Sequence, residues 1–266
     1  MTKIYNTIEE VVESMQQPLH YNIRKAGVWQ ATELFQDHDM RVLRNVILNS
    51  SIPLEPEWLN GKIKADQPWS EIHFRERVSG EPSNPGESYK VWPYNNFKDD
   101  NDPYIKGKKF SHTYMERFWP KHANQLPVGS PTSDIYRDNK GIRYNLGDIN
   151  DVIQQLRDNP LTRQAYLPIF FPEDTGAVHG ERVPCTLGYL FEIWNGVLDI
   201  TYYIRSCDIF RHFRNDVYLT MRLAQHVAYS TNTTVGNMSM HIANLHLFEN
   251  DEYAFRKKET KLKTNG

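Results

Sequence analysis

Residues 184–209, PCTLGYLFEIWNGVLDITYYIRSCDI, decide how this chain folds. Two runs rich in β-branched and aromatic residues, LGYLFEIW and VLDITYYIRS, flank Asn195-Gly196. Asn-Gly between such runs predicts a tight hairpin, because both turn residues must adopt positive φ. Pro184-Cys185 stands just before the first run, and Arg205-Ser206-Cys207-Asp208 lies on the return strand.

Working outward, Asp148-Ile149-Asn150 opens a helix, INDVIQQLRDNP, with Ile149, Val152, Ile153 and Leu156 on one face. Asn159-Pro160 ends it, and RQAYLPIFF follows as a buried strand. After the hairpin, VYLTMRLAQHVAY reads as a helix starting at Val217, with Val217, Met221, Ala224 and Ala228 on one stripe. NMSMHIANLHLF reads as a further strand. Helices and strands so interspersed predict a mixed α/β (α+β) fold, a large β-sheet flanked by helices. Neither a repeat nor a dividing linker interrupts the 266 residues, so we expect one domain over 1–266. Residues 51–130, rich in Pro, Asn, Asp, Gly and Trp, read as long loops and short elements. Residues 252–266, basic and polar, are expected to be a mobile tail.

Hydrophobic residues make up 39% and charged residues 24%, a balance that suits a soluble globular chain. A formal net charge of −2 argues against a global pull toward nucleic acid or membrane, so no direct DNA binding is expected. Any anionic ligand then needs a locally built positive pocket. The two cysteines, Cys185 and Cys207, have neither CxxC spacing nor a Cys/His cluster, which argues against a metal site. Free thiols point to a reducing compartment. The N-terminal MTKIYNTIEEVVESM reads as a polar amphipathic helix rather than a signal peptide, and no apolar run reaches membrane-spanning length. These readings place the protein in the cytoplasm.

Four segments, GDINDVIQQLRDNPLTRQAYLPIFF, VPCTLGYLFEIWNG, YYIRSCDIFRHFRND and ANLHLF, resemble the thymidylate synthase superfamily in content, order and spacing. The likeness covers roughly residues 110–250. Within that superfamily the Cys185-Thr186 pair and the FRND run at 213–216 are similar to the phage deoxycytidylate hydroxymethylases. The resemblance implies a thymidylate synthase-like fold and a sheet-to-sheet homodimer. It also implies a pyrimidine nucleoside monophosphate as substrate and 5,10-methylenetetrahydrofolate as co-substrate.

The same resemblance assigns roles. Cys185 would add as a thiolate to C6 of the base, which makes C5 nucleophilic, and nearby positive charge would favour that thiolate. Cys207, two residues past Arg205, reads as structural. Arg205 and Ser206 would hold the phosphate, a bidentate guanidinium and a hydroxyl being suited to its oxygens. Arg163 would reach the phosphate from the partner subunit; Gln164 replaces the second arginine usual there. Arg24 is a further phosphate candidate. Asp216, with Asn215 beside it, falls where the synthases read the base with Asn. A carboxyl group accepts from the cytosine amino group and, when protonated, donates to N3. Either residue could instead cap the helix. Asp208 resembles the folate-contacting Asp, with a strand-end turn as its plainer role. His246 resembles the residue that meets the sugar hydroxyl; Phe248 replaces the Tyr that assists it. Tyr114 would organise proton transfer at C5, and Glu71 would order water and shuttle protons, with Glu76 as its rival.

Hydride delivery to the C5 methylene would give a methyl product, and water would give hydroxymethyl. The chain stops soon after Phe248 without the family's apolar closing tail, so a wetter pocket and hydroxymethylation are expected. A cytidylate 5-hydroxymethylase is the leading reading. Alternatives are a thymidylate synthase or deoxycytidylate methyltransferase on the same scaffold, and a non-catalytic nucleotide- or RNA-binding relative.

Overall fold

The computed structural model describes residues 2–16, 22–25, 39–94, 110, 112–123, 147–175 and 183–264. A short strand, β1 (Lys3–Tyr5), leads into helix α1 (Ile8–Gln16). The N-terminal helix therefore starts at Ile8, and Ile8, Val11, Val12 and Met15 are its buried stripe. Strands β2 (Asn22–Lys25) and β3 (Asp39–Ser51) follow.

Residues 51–130 hold more regular structure than their composition suggested. They include α2 (Pro56–Ile63), α3 (Trp69–Arg77), a 3₁₀ turn over Glu87–Val91, α4 (Tyr114–Phe118) and α5 (Pro120–Ala123). The helices are short, and α2 stops where Lys64 takes a left-handed conformation at φ 58°. Thr113 and Glu116 cap α4 reciprocally, each side chain bonding the other's backbone N–H.

Helix α6 (Ile149–Asp158) buries the four apolar residues read from its sequence and ends at Asn159. The strand after it is shorter than expected, only β4 (Tyr166–Pro168). Strands β5 (Thr186–Trp194) and β6 (Val197–Ile204) form the hairpin. Asn195 and Gly196 turn it at φ 50° and 77°. The return segment breaks at Arg205-Ser206, and Cys207–Asp208 make a separate strand, β7. Helix α7 (Phe213–Thr231) begins four residues earlier than Val217, so Asn215 and Asp216 sit in its first turn rather than at its cap. Strand β8 (Thr234–Phe248) and helix α8 (Glu252–Thr264) complete the chain.

Among the described residues eight strands form one mixed sheet in the order β1-β3-β8-β6-β5-β4, with β2 beside β3 and β7 beside β8. Strands β6 and β8 run parallel, and α7 is the crossover that parallel neighbours require. One face carries Val46, Leu48, Ile200, Tyr202, Ile204, Met238, Met240 and Ile242, all buried against the apolar stripes of α1, α2, α6 and α7. The alternate residues Ile47, Tyr203 and His241, in register across β3, β6 and β8, are only half-buried.

Residues 252–264 form a packed helix where a mobile tail was expected. Helix α8 buries Phe255 and Glu259, and Glu259 accepts a bidentate pair of bonds from Arg214 at 3.1 and 2.6 Å. Helical spacing puts both residues on one side of an otherwise basic helix, which composition alone conceals. No helix among the described residues is long and apolar enough to cross a membrane.

Candidate active site

Cys185 is half-buried at the foot of β5, where the hairpin opens. Its carbonyl accepts the backbone N–H of Arg205 at 3.0 Å, which ties the end of β6 to the start of β5. The Arg205 side chain folds back on the same segment. Its Nε and one Nη donate to the carbonyls of Pro184 and Val183, each at 3.0 Å. These bonds fix the backbone ahead of the thiol and use two of the five guanidinium donors. Arg205 forms no ion pair among the described residues, so the remaining donors suit an anion.

Thr186, next in the chain, is fully buried, and its hydroxyl joins two phenols. Tyr114 lies 3.0 Å from it and Tyr202 2.8 Å from it, oxygen to oxygen. Burial, then the neighbouring Cys185 and Asp216, push the Tyr114 phenol far above its ordinary value, so it stays protonated. This places Tyr114, Cys185 and Asp216 in one electrostatic neighbourhood.

Asp216 projects from the first turn of α7, and its Oδ2 lies 3.5 Å from the Cys207 sulfur. Burial, reinforced by the Asp208 carboxylate, pushes Asp216 up to about 7 against the pull of Arg77 and the thiol. Burial and then the charge of Asp216 drive the Cys207 thiol well above its usual range. Cys207 is therefore a protonated donor and not a nucleophile. It also touches the residue read as base-recognising, a contact its structural reading did not foresee.

On the other side of Cys207, β7 pairs with β8 so that Asp208 stands opposite His246. Ser206 Oγ approaches His246 Nδ1 at 3.4 Å, and both residues are buried. Burial lowers the His246 pKa and keeps the ring neutral. Asp208 does serve as a turn residue. Its carboxylate accepts the backbone N–H groups of Phe210 and Arg211 at 2.9 and 3.2 Å and a guanidinium bond from Arg211 at 2.9 Å. Three of its roughly four lone-pair sites are thus used.

Other expected residues lie apart from this cluster. Glu71 points to the opposite side of α3, where it bonds Arg222 at 3.1 and 3.2 Å, Tyr218 at 2.9 Å and Arg75 at 2.9 Å. Two residues along a helix turn a side chain through about 200°, so Glu71 faces away from His73, whose ring meets the Tyr114 ring edge-on at 6.1 Å. Its rival Glu76 bonds Ser88 and lies 3.9 Å from His73. The Asn215 amide is saturated internally by Asp66, Ser70 and the Arg211 carbonyl, which leaves it no group for a substrate. Arg163 is exposed ahead of β4. The backbone of Arg24 lies in β2 opposite Met40, and its side chain lies outside the described residues.

Arg77 and His73 were missed. On α3 the buried residues are Trp69, Ser70, His73, Phe74 and Arg77, at helical spacing. The signal was present in WSEIHFRER: two ionisable residues four apart on the inward stripe. Burial and the charge of Arg77 lower the His73 pKa and hold its ring neutral.

Beside Asp208, four half-buried rings form an aromatic surface. Trp92 stacks on His212 at 5.2 Å between centroids, and Tyr94 meets Phe210 edge-on at 5.2 Å. Among the described residues no group of three or more His, Cys, Asp or Glu could hold a metal ion.

A family model described as thymidylate synthase matches residues 88–264, two thirds of the chain. A putative thymidylate synthase of Methanosarcina barkeri is 26% identical over 56% of this chain and 70% of its own length. A second, from Methanothermobacter thermautotrophicus, is 30% identical over 48% of this chain and 58% of its own length. The chain belongs to the thymidylate synthase family and is a transferase of one-carbon groups.

Proposed function

We propose that the chain is a folate-dependent pyrimidine nucleotide C5 hydroxymethyltransferase acting on deoxycytidylate or cytidylate. The observation that carries this reading is Asp216, a carboxyl group in the Cys185 cluster whose pKa stands near neutrality. Near pH 7 a large share of it is protonated, so it can donate to cytosine N3 while accepting from the C4 amino group. Toward uracil the ionised group accepts from N3–H but repels the C4 carbonyl oxygen, so the discrimination against uracil lies in its carboxylate form.

The chain's own residues then divide the work. Cys185 adds to C6, and Asp216 protonates N3 as electrons move onto the ring. The Arg205 donors that do not brace Pro184 and Val183 take the phosphate with Ser206. His246, neutral and beside Ser206, meets the sugar. Tyr114, held by Thr186, stands near the thiol to orient the group that takes the C5 proton. Methylenetetrahydrofolate, when bound, supplies a one-carbon unit at the oxidation level of formaldehyde. Trp92, Tyr94, Phe210 and the last acceptor site of Asp208 are the residues that would hold it.

A second reading, a methyltransferase on the same scaffold, is favoured by the names of the two relatives given above, putative thymidylate synthases. Incubation with each pyrimidine monophosphate and methylenetetrahydrofolate, with mass detection, separates the two. A hydroxymethyl adduct of a cytosine nucleotide is the expected product. A methylated product with dihydrofolate formed would replace this reading by the second. No turnover of any pyrimidine nucleotide, with binding retained in Cys185→Ser, would leave a binding protein only. Cytoplasmic location and a homodimer with Arg163 acting in trans belong to the same proposal.

A further inference from the structure

Arg77 is 4% exposed, yet it forms no ion pair among the described residues. Its Nε has no hydrogen-bond partner, and its only side-chain bond among the described residues is a long one, 3.5 Å, from an Nη to the Tyr189 hydroxyl. A buried guanidinium left so poorly bonded is costly, and a fold keeps it only where the charge is used. Its surroundings indicate the use. The guanidinium carbon lies 4.1 Å from the centroid of the Tyr114 ring, against the negative π face. Tyr189 stacks on Tyr202 at 4.7 Å, and Tyr202 bonds Thr186. Tyr114 bonds the same Thr186. Arg77 therefore touches one arm of the hydroxyl chain, Tyr114, directly and backs the other, Tyr202, through Tyr189; the two arms converge on Thr186, the residue after Cys185. Its own helix is anchored beside the site, since the Arg77 carbonyl accepts the Trp119 indole N–H at 2.9 Å.

We propose that Arg77 is a positioning residue of the reaction, bracing Tyr114 and Tyr189 so that the Tyr114–Thr186–Tyr202 chain holds its place beside Cys185, and supplying the buried positive charge of that cluster. The inference rests on the reading of Cys185 as nucleophile. The same charge opposes the effect of burial on Asp216. Removing it takes a nearby positive charge from the Asp216 carboxyl and from the cluster that holds Cys185.

The test compares Arg77→Met and Arg77→Lys with wild type in two assays. The first is alkylation of Cys185 by iodoacetamide across pH, followed by peptide mass. The second is the pH profile of turnover on the nucleotide that wild type uses. In Arg77→Met, alkylation at pH 7 should fall by about tenfold, the effect of losing one nearby charge on a thiol pKa. The titration limb of Asp216 should move to higher pH, with kcat reduced and KM little changed. Arg77→Lys should restore the pH midpoints, because it returns the charge, but not the full kcat, because it cannot span both phenols. A folded Arg77→Met with wild-type alkylation and limb positions overturns the proposal. If Arg77→Met does not fold, Arg77→Lys decides: wild-type kcat there removes the bracing role. Should wild type turn over no pyrimidine nucleotide, the proposed function falls while the alkylation comparison still judges Arg77.

Discussion

Asp216 occupies a position where two needs conflict. Burial favours its neutral form, and Arg77 and the Cys207 thiol favour its carboxylate; the balance falls near neutrality. Asp216→Asn should therefore lower turnover of cytosine nucleotides by roughly 10²-fold or more and raise relative use of uracil nucleotides. Unchanged base preference in competition assays would remove Asp216 from base reading. With the acid form active, wild-type turnover should decline as pH rises through about 7. The linked effect on stability has a definite sign. The folded pKa lies above the unfolded value, so the folded state binds more protons between about 4 and 7 and stability falls as pH rises through that window. Asp216→Asn escapes this loss, at most about 4 kcal/mol, so its Tm relative to wild type should climb from pH 4 to pH 7.5. Thr186 offers a second test. Thr186→Val keeps the shape but leaves two buried phenols without their shared partner, which should cost about 1–3 kcal/mol in denaturant melts. It should lower kcat more than it changes KM.

Among the elements, helix α8 departs most from its sequence reading, and the reason lies in two residues. Its run of lysines resembles a solvated tail, but Phe255 and Glu259 face inward, and Glu259 meets the buried Arg214. Lys258 then reaches Asp66 at 3.0 Å and the Tyr94 hydroxyl at 2.7 Å, at the aromatic surface beside Asp208. Glu259→Ala should cost about 3 kcal/mol, because Arg214 is left buried with only the Ile63 carbonyl at 2.8 Å and the exposed Glu9 at 3.9 Å. Arg214→Met with Glu259→Leu should recover most of that, and urea denaturation reads both. Amide exchange should show residues 252–264 opening first in Glu259→Ala. Elsewhere periodicity sufficed. Val217, Met221, Ala224 and Ala228 are buried as a stripe, and Asn195-Gly196 turns the hairpin, because those features depend on residues close in sequence. The cluster at Cys185 was legible only as far as its local motifs reached. Arg77 arrives from a helix more than a hundred residues away, and a lone inward Arg in WSEIHFRER carries no sign of what it will meet. The position of Glu71 on the far side of α3 was hidden for the same reason, since which face of α3 turns inward is set by contacts distant in sequence.

At the scale of the whole molecule the sheet is covered by helices on one face, while Ile47, Tyr203 and His241 on the other stay half-exposed. A second copy packed sheet to sheet would cover that face, and a two-fold contact presents the same residues from both sides. The proposed homodimer also gives Arg163 a use, because an arginine exposed on its own subunit can complete the phosphate site of its neighbour. The two claims can be tested together by mixing inactive variants. Arg163→Ala lacks the donated cation, and Cys185→Ser lacks the nucleophile. In a mixed dimer the site built on the Arg163→Ala subunit keeps its own Cys185 and receives Arg163 from the partner. The other site lacks both groups. Random reassortment makes half the dimers mixed, with one competent site in two, so activity should return to about one quarter of wild type. Donation within one subunit leaves each dead site dead on mixing. Absence of recovery after verified subunit exchange would therefore assign Arg163 to its own chain, and a monomer by light scattering would remove the shared site altogether.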